Sequence, residues 1–337
     1  MTAGHPSKRA GIVDVAKMAG VSRQTVTRAI NDMDGISSET KARVLAAART
    51  LGYRPSRFGR GLVNNGTPSL GLVITDLTNP YFAYLASSIA KLATQHGWAL
   101  LLMENSPTDV GSNRRLREFS LQVDAVIGYL DMNAEIINDT FRDMPVVTLN
   151  DELKHGWWAS VEIDFDPGMQ SVLEHLRSNG RHRVVMVDRP VDGGPSARAR
   201  SYKRQSALVG IETDIFSAEA DGLAEIEMGR IVANKLLARR ELPDAVICYN
   251  DAVAIGLLKQ FQLAGLAVPQ DCAIVGIDGL AIGTLVTPEL TTLSLDVSEV
   301  AGTAVDMILA MVESRHPLSE DDMRRTVSNS LVLRGSA

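Results

Sequence analysis

Cysteine is nearly absent from this 337-residue chain, which has two, and histidine is sparse at six. Cys248 and Cys272 lie inside apolar runs, "AVICY" and "DCAIVGI". A disulfide framework or thiolate metal site therefore has little to build on, and both thiols are expected as small buried hydrophobes. The histidines are scattered without ligand spacing, and there is no GxGxxG turn after a strand, no Walker phosphate loop, no HExxH and no GxSxG. The two carboxylates of "DFDP", Asp164 and Asp166, stand at a strand end leading into a helix, which favours a cap over a metal site. No cofactor or metal is expected, and an enzyme is the weaker class. No run approaches the roughly 18 consecutive apolar residues of a membrane helix. The start, "MTAGHPSKRAGIVD", lacks the apolar core of a signal peptide. The expectation is a cytoplasmic protein with no membrane partner.

What is present is an uneven charge distribution. Residues 1–62 carry eleven Lys/Arg against four Asp/Glu, a net of +7, while the remainder carries 23 against 36, a net of −13. A basic head on an acidic body points to a polyanion bound at one end, against the plainer alternative of a solvated charged face.

Within the head, "IVDVAKMAG" sets Ile12, Val15, Ala16 and Ala19 at helical spacing and stops at Gly20. "VSRQTVTRAIN" follows, with Ser22 as N-cap, Val26 and Ile30 on one face, and Arg23, Gln24, Thr27, Arg28 and Asn31 on the others. A third helix begins at "ISSETKARVLAAARTLGY", capped by Ser37, with Val44, Leu45, Ala48 and Leu51 inward. Helix, tight turn and helix is the plan in which the second helix enters the major groove and its first side chains meet base edges. Arginine matches guanine O6 and N7, and glutamine matches adenine N6 and N7, so Arg23 and Gln24 suit direct readout. Ser22, Thr25, Arg28 and Asn31 are the surrounding phosphate or base partners.

"VDVAKMAGVSRQTVTRAIN" and "ISSETKARVLAAARTLGYRPSRFGRGL" resemble the DNA-binding head of the LacI/GalR family of bacterial transcription regulators over nearly every residue from Ile12 to Leu62. The resemblance implies that Arg23 and Gln24 hold the specificity positions, that Arg28 reaches the groove and that Tyr53 packs the head. Gly11 departs from the Thr or Ser that commonly caps the family's first helix.

From Ser69 onward short apolar strands alternate with helices, from "LGLVIT" and "WALLLME" to "AVICYN" and "AIVGI". This is the pattern of βαβ units around parallel sheets. About ten strands exceed one modest sheet, so two doubly wound lobes are expected, with a cleft at the strand C-termini. The fold class is thus an all-α three-helix helix-turn-helix head with a hinge helix, joined to an α/β core. "DLTNPYFAYLASSIAKLATQHGWALLL", "YNDAVAIGLL", "VPQDCAIVGIDGL", "TPELTTLSLDVSEVAG" and "LVLRGSA" resemble the same family's periplasmic-binding-protein-like effector domain. The implied division is a head at 8–55, a hinge at 56–66 and an effector and dimerisation domain at 67–337. The N-lobe would hold about 67–165 and 297–325, and the C-lobe about 166–296 and 326–337, with three chain crossings as a hinge.

Carried over residue by residue, the resemblance assigns effector contacts to Asp76, Tyr81, Phe82 and Asn150 on the first lobe and to Arg198, Asn250 and Asp278 on the second. Carboxylate, amide and guanidinium groups suit vicinal hydroxyls, and an aromatic ring suits a sugar's C–H face. Tyr81 and Phe82 could equally be core, Asp278 a cap or an interlobe ion pair, and Arg198 a surface arginine. Departures are Ser201 for the glycine of R-x-x-G, Gly279 for a second aspartate, and Ala224 near an aromatic position. Trp157 and Trp158 are candidate substitutes for that aromatic, or core or dimer surface.

"RPSRFGRGLVNNG" links the two parts. In the family its counterpart becomes a short helix on operator DNA, which implies that Leu62 wedges into the minor groove while Arg57 and Arg60 meet phosphates and Phe58 packs the hinge. Gly59 and Gly61 each cost a helix about 1 kcal/mol against alanine, so this hinge should release easily. No leucine heptad follows "LVLRGSA", so no C-terminal tetramer zipper is expected. Together these features predict a homodimeric regulator, in the expected sense a repressor, that binds double-stranded operator DNA and answers to a sugar-like small-molecule effector. The competing reading is a sugar-binding module or enzyme with an incidental basic head.

Overall fold

The computed structural model describes residues 12–30, 33, 35–51, 67–105, 111–130, 134–142, 144–149, 157–190, 194–218, 224–314, 319 and 322–337. Three helices open the chain: α1 (Ile12–Ala19), α2 (Arg23–Ile30) and α3 (Ser38–Thr50). Gly20 takes φ +63°, which permits the tight turn between α1 and α2. The Ser37 hydroxyl accepts from Thr40 N at 3.2 Å and starts α3. The head's core is small and built from Val15, Val26 and Val44 with Ala16, Ala19, Ala29, Ala47 and Ala48. Ala47 takes the inward place expected for Leu45, which is only half-buried. The spacing of α3 allows either, and the smaller side chain fits the close approach of three short helices. Arg43 Nε donates to Ala19 O at 3.1 Å, tying α3 to the end of α1.

The body contains two six-stranded sheets. The first uses β1 (Ser69–Ile74), β2 (Ala99–Glu104), β3 (Ala125–Gly128), β4 (Val146–Leu149), β5 (Ala159–Asp164) and β11 (Arg324–Ser328), in the order β11-β5-β4-β3-β1-β2, all parallel. The second uses β6 (Val184–Asp188), β7 (Asp214–Ser217), β8 (Ala245–Ile247), β9 (Ala273–Asp278), β10 (Thr291–Ser294) and β12 (Ser330–Val332), in the order β12-β10-β9-β8-β6-β7. Here β12 runs antiparallel to β10. Completely buried strands such as β1 and β9 explain the near-continuous apolar runs of the sequence.

Helices α4 (Pro80–Gln95), α5 (Ser112–Ser120), α6 (Ala134–Phe141) and α11 (Val297–Glu313) belong to the first lobe. α7 (Asp166–Ser178), α8 (Ala197–Val209), α9 (Glu225–Leu237) and α10 (Asp251–Leu263) belong to the second. α4 shows how a cover helix is made: Leu85, Ile89 and Ala93 recur at four-residue spacing on one buried face. α9 and α10 approach so closely that a Cβ on Gly256 would lie 2.0 Å from the Ile226 carbonyl oxygen, and one on Gly229 would lie 2.1 Å from that of Val253. Only glycine fits either place.

The chain passes between the sheets at Phe165, at Leu295–Asp296 and at Asn329. The last passage follows β11, so a division at 325/326 would cut that strand, because its ladder with β5 continues to Ser328. β7 begins only at Asp214, since α8 runs on to Val209 and a turn follows. No helix among the described residues is long and apolar enough to cross a membrane. Cys248 and Cys272 are free and fully buried.

Candidate functional sites in the head and the cleft

On α2, Ser22 Oγ accepts from Thr25 N at 3.1 Å and lies 2.9 Å from Thr25 Oγ1. Ser22 is therefore the cap that orients the helix start, and Thr25 is partly engaged with it. Arg23 and Gln24, in the first turn, are exposed. Thr27 turns back to Arg23 O at 3.1 Å. Arg28 lies against the turn at Gly35, its Nη1 2.9 Å from where a Cβ there would be. Asn31, Tyr53, Arg57, Phe58, Gly59, Arg60, Gly61 and Leu62 lie outside the described residues.

Both sheets are doubly wound, and their strand order reverses between β1 and β3 and between β6 and β8. Such reversals open a crevice at the strand C-termini. Asp76 and Tyr129 follow β1 and β3, Arg189 follows β6, and Tyr249 and Asn250 follow β8. Asp278 ends β9 and Phe165 follows β5.

At the centre is Arg198, whose side chain is 14% exposed. Its guanidinium stacks on Phe165 at 4.9 Å and on Tyr249 at 4.5 Å, and Nη2 stands 3.5 Å from Asp278 Oδ1. Arg198 Nε is buried with no hydrogen-bond partner. Burial opposes the cation, but the surrounding tyrosines and Asp278 outweigh that opposition and raise its pKa. Asp278, 6% exposed, has its carboxyl pushed well above the usual range by burial, against the pull of Arg198. Its backbone takes φ +118°, a region costly for any side-chain-bearing residue.

Tyr81 and Phe82 are both buried in the first lobe's core, where they meet edge to face. Tyr81 also reaches the cleft: its hydroxyl lies 2.8 Å from that of Tyr129, and it feels the charges of Asp278 and Arg198. Burial pushes the Tyr81 phenol up to about 12. Asp76 is turned to local use, its Oδ1 accepting from Thr78 N and Oγ1 at 2.7 and 2.6 Å. Asn250, fully buried, caps α10 through Val253 N at 2.9 Å. Asn150 lies outside the described residues.

The tryptophan pair sits elsewhere. Trp158 is buried with Val146, Phe141 and Leu130, and Trp157 Nε1 donates to Asn138 on α6 at 2.5 Å. Neither replaces an aromatic over the cleft. Asp166 is held by Ser201 at 2.6 Å and by Arg204 at 2.6 Å, and Asp164 Oδ1 accepts from Asp166 N, so "DFDP" starts α7. The serine standing for the family's glycine is thereby a helix-to-helix tie.

The sequence reading missed Phe165, Tyr129, Tyr249, Asn79, Glu225 and Arg189. The three aromatics stand one or two residues past a strand end, in "VEIDF", "DAVIGYL" and "AVICYN", and that position was the available signal.

A helical head that offers an arginine and a glutamine, joined to a two-lobed body with a polar cleft at its strand ends, defines a ligand-responsive DNA-binding regulator. The family described as "Bacterial regulatory proteins, lacI family" matches residues 11–56, and "Periplasmic binding protein-like domain" matches residues 173–337. The HTH-type transcriptional repressor PurR of Histophilus somni is 29% identical over 324 residues, covering 91% of this chain and 93% of the relative. The ribose operon repressor of Escherichia coli K12 is 28% identical over 338 residues, covering 96% and 98%. Among solved structures, a LacI family transcriptional regulator from Arthrobacter sp. FB24 in complex with lactose aligns with a TM-score of 0.68 at 28% identity, over 81% of this chain and 100% of that one. The chain belongs to the LacI/GalR family of bacterial transcriptional regulators; it is a regulator and not an enzyme.

Proposed function

We propose that the chain is a homodimeric repressor whose grip on a pseudo-palindromic operator is set by a hydroxyl-rich small molecule in the cleft. The observation that carries the effector reading is Arg198: a guanidinium offers five N–H donors, and here Nε is buried and unmatched. The oxygens of a polyol would satisfy such donors, with Asp278 and Asn250 beside them. That relatives include a ribose operon repressor and a lactose-bound regulator supports a sugar-like ligand. In this reading Arg23 and Gln24 meet base edges, and Ser22, Thr25, Arg28 and Asn31 surround them. Arg57 and Arg60 hold phosphates, Leu62 opens the central base step, and Asp76, Tyr81, Phe82 and Asn150 complete the first lobe's side of the cleft. Two copies match a two-fold operator, and the ligand acts through its different affinity for two lobe arrangements.

The test has two arms. A thermal-shift screen with sugars, sugar phosphates and nucleobases should find a ligand that raises the midpoint by more than about 5 °C, since a binder stabilises by mass action. Fluorescence anisotropy should show salt-sensitive, sequence-specific binding to DNA near the chain's own promoter, relaxed by Arg23→Ala at one base position by about 1–3 kcal/mol. Absence of specific binding to any genomic fragment ends the operator reading.

A further inference from the structure

A side-chain hydrogen bond crosses from an asparagine of the first lobe to a carboxylate of the second. Asn79 caps α4, its Oδ1 accepting from Tyr81 N at 2.9 Å. That use of the oxygen leaves Nδ2 to find another partner, and it donates to Glu225 Oε2 at 2.8 Å. On the second lobe Asn250 is likewise committed through its Oδ1, which accepts from Val253 N at 2.9 Å and caps α10. Because both oxygens are committed to helix caps, neither amide can flip without breaking a cap. Glu225 opens α9, its side chain is 10% exposed, and Arg189 Nη1 stands 3.9 Å away at the rim. Asp76, Arg198 and Asp278 act electrostatically on it or are acted on by it, which places the carboxylate in the cleft itself.

We propose that Glu225 is a tethered occupant of the cleft: from the second lobe its carboxylate supplies the acceptor for Asn79 of the first, closing the chain on itself without a small molecule. This rests on the reading of the cleft as the effector site. An effector then acts by taking the Asn79 amide from Glu225, so it must bring its own acceptor oxygen and tolerate the displaced carboxylate beside Asp278. Uncharged hydroxylated ligands meet both conditions.

The experiment measures the radius of gyration of the dialysed, full-length protein by small-angle scattering, together with affinity for an operator fragment selected by the wild type. Glu225→Ala removes the acceptor and should enlarge the particle. Glu225→Gln keeps an acceptor and should match the wild type. Asn79→Asp keeps the helix cap but sets two carboxylates face to face, and should enlarge the particle as much as Glu225→Ala. The double variant Asn79→Asp, Glu225→Gln restores a donor–acceptor pair with the roles exchanged, and should return to wild-type size. Equal radii in all four variants, or a double variant that stays open, would overturn the proposal. If Glu225→Ala fails to fold, the Asn79→Asp single and the double variant decide it alone. If the radii change as expected while operator affinity does not, the bridge stands and the coupling of closure to DNA binding falls.

Discussion

The head and the body solve the placing of working residues in opposite ways. In the head, the reading residues are neighbours in sequence, and an eight-residue helix with a serine cap delivers them together. In the body, Tyr81, Tyr129, Phe165, Arg198, Glu225, Asn250 and Asp278 come from seven different segments, and the strand order of two sheets brings them to one crevice. The head's core is three valines among alanines, whereas the body buries Tyr202, Phe141 and Phe261 completely. A small head needs little core because it must hold only one helix; the cleft needs two stiff sheets because each contributes half a site.

Four changes sharpen that contrast. The largest effect is expected from Gly256→Val, which forces α9 and α10 apart because its Cβ would lie 2.0 Å from the Ile226 carbonyl oxygen. It should cost the body about 4 kcal/mol or more, read as collapse of the main calorimetric transition.

Acidification should act in the reverse of the usual sense. Burial pushes the Asp251 carboxyl up from 3.8 to about 6, although Thr292, Leu280 N and Gly279 N hold it back. Between those values the folded chain binds the proton and the unfolded chain does not, so stability falls as pH rises through them. At neutral pH the ionised group costs up to roughly 3 kcal/mol. The body's midpoint should therefore rise as pH drops from 7 toward 5, and Asp251→Asn should flatten that rise. Asp278 and Glu225, also raised by burial, push the same way. An unchanged slope in Asp251→Asn would show that the titrating group lies elsewhere.

Val26→Ala removes two methyl groups from the head's core and should cost roughly 2 kcal/mol. Operator binding should be lost at temperatures where the body's transition is intact. Smallest, Gly59→Ala with Gly61→Ala should favour a hinge helix by about 1 kcal/mol at each position, tightening operator binding and blunting effector release. If both are unchanged, the glycines do not set the hinge.

Much of this was legible in the sequence, and the reasons are physical. Gly20, Ser22 and Ser37 mark the head's turns and caps because their φ preference and hydroxyl act locally. The run "AIVGID" reads as a buried strand because both its faces are covered. What escaped was set by tertiary placement. α6 was not read because "AEIINDTF" is short, with only Ile137, Thr140 and Phe141 buried. The role of Glu225 was invisible because its partner, Asn79, is fixed by a cap on a helix of the other lobe. Tyr81 and Phe82 resisted a choice between core and cleft because Tyr81 serves both.

The late passages between the sheets bear on how the protein is made. β11 and β12 each form one edge of a sheet and come after every other described element of the chain. On the ribosome, the head can emerge and pack while neither sheet yet has its final strand. The DNA reader is therefore ready before its control is complete.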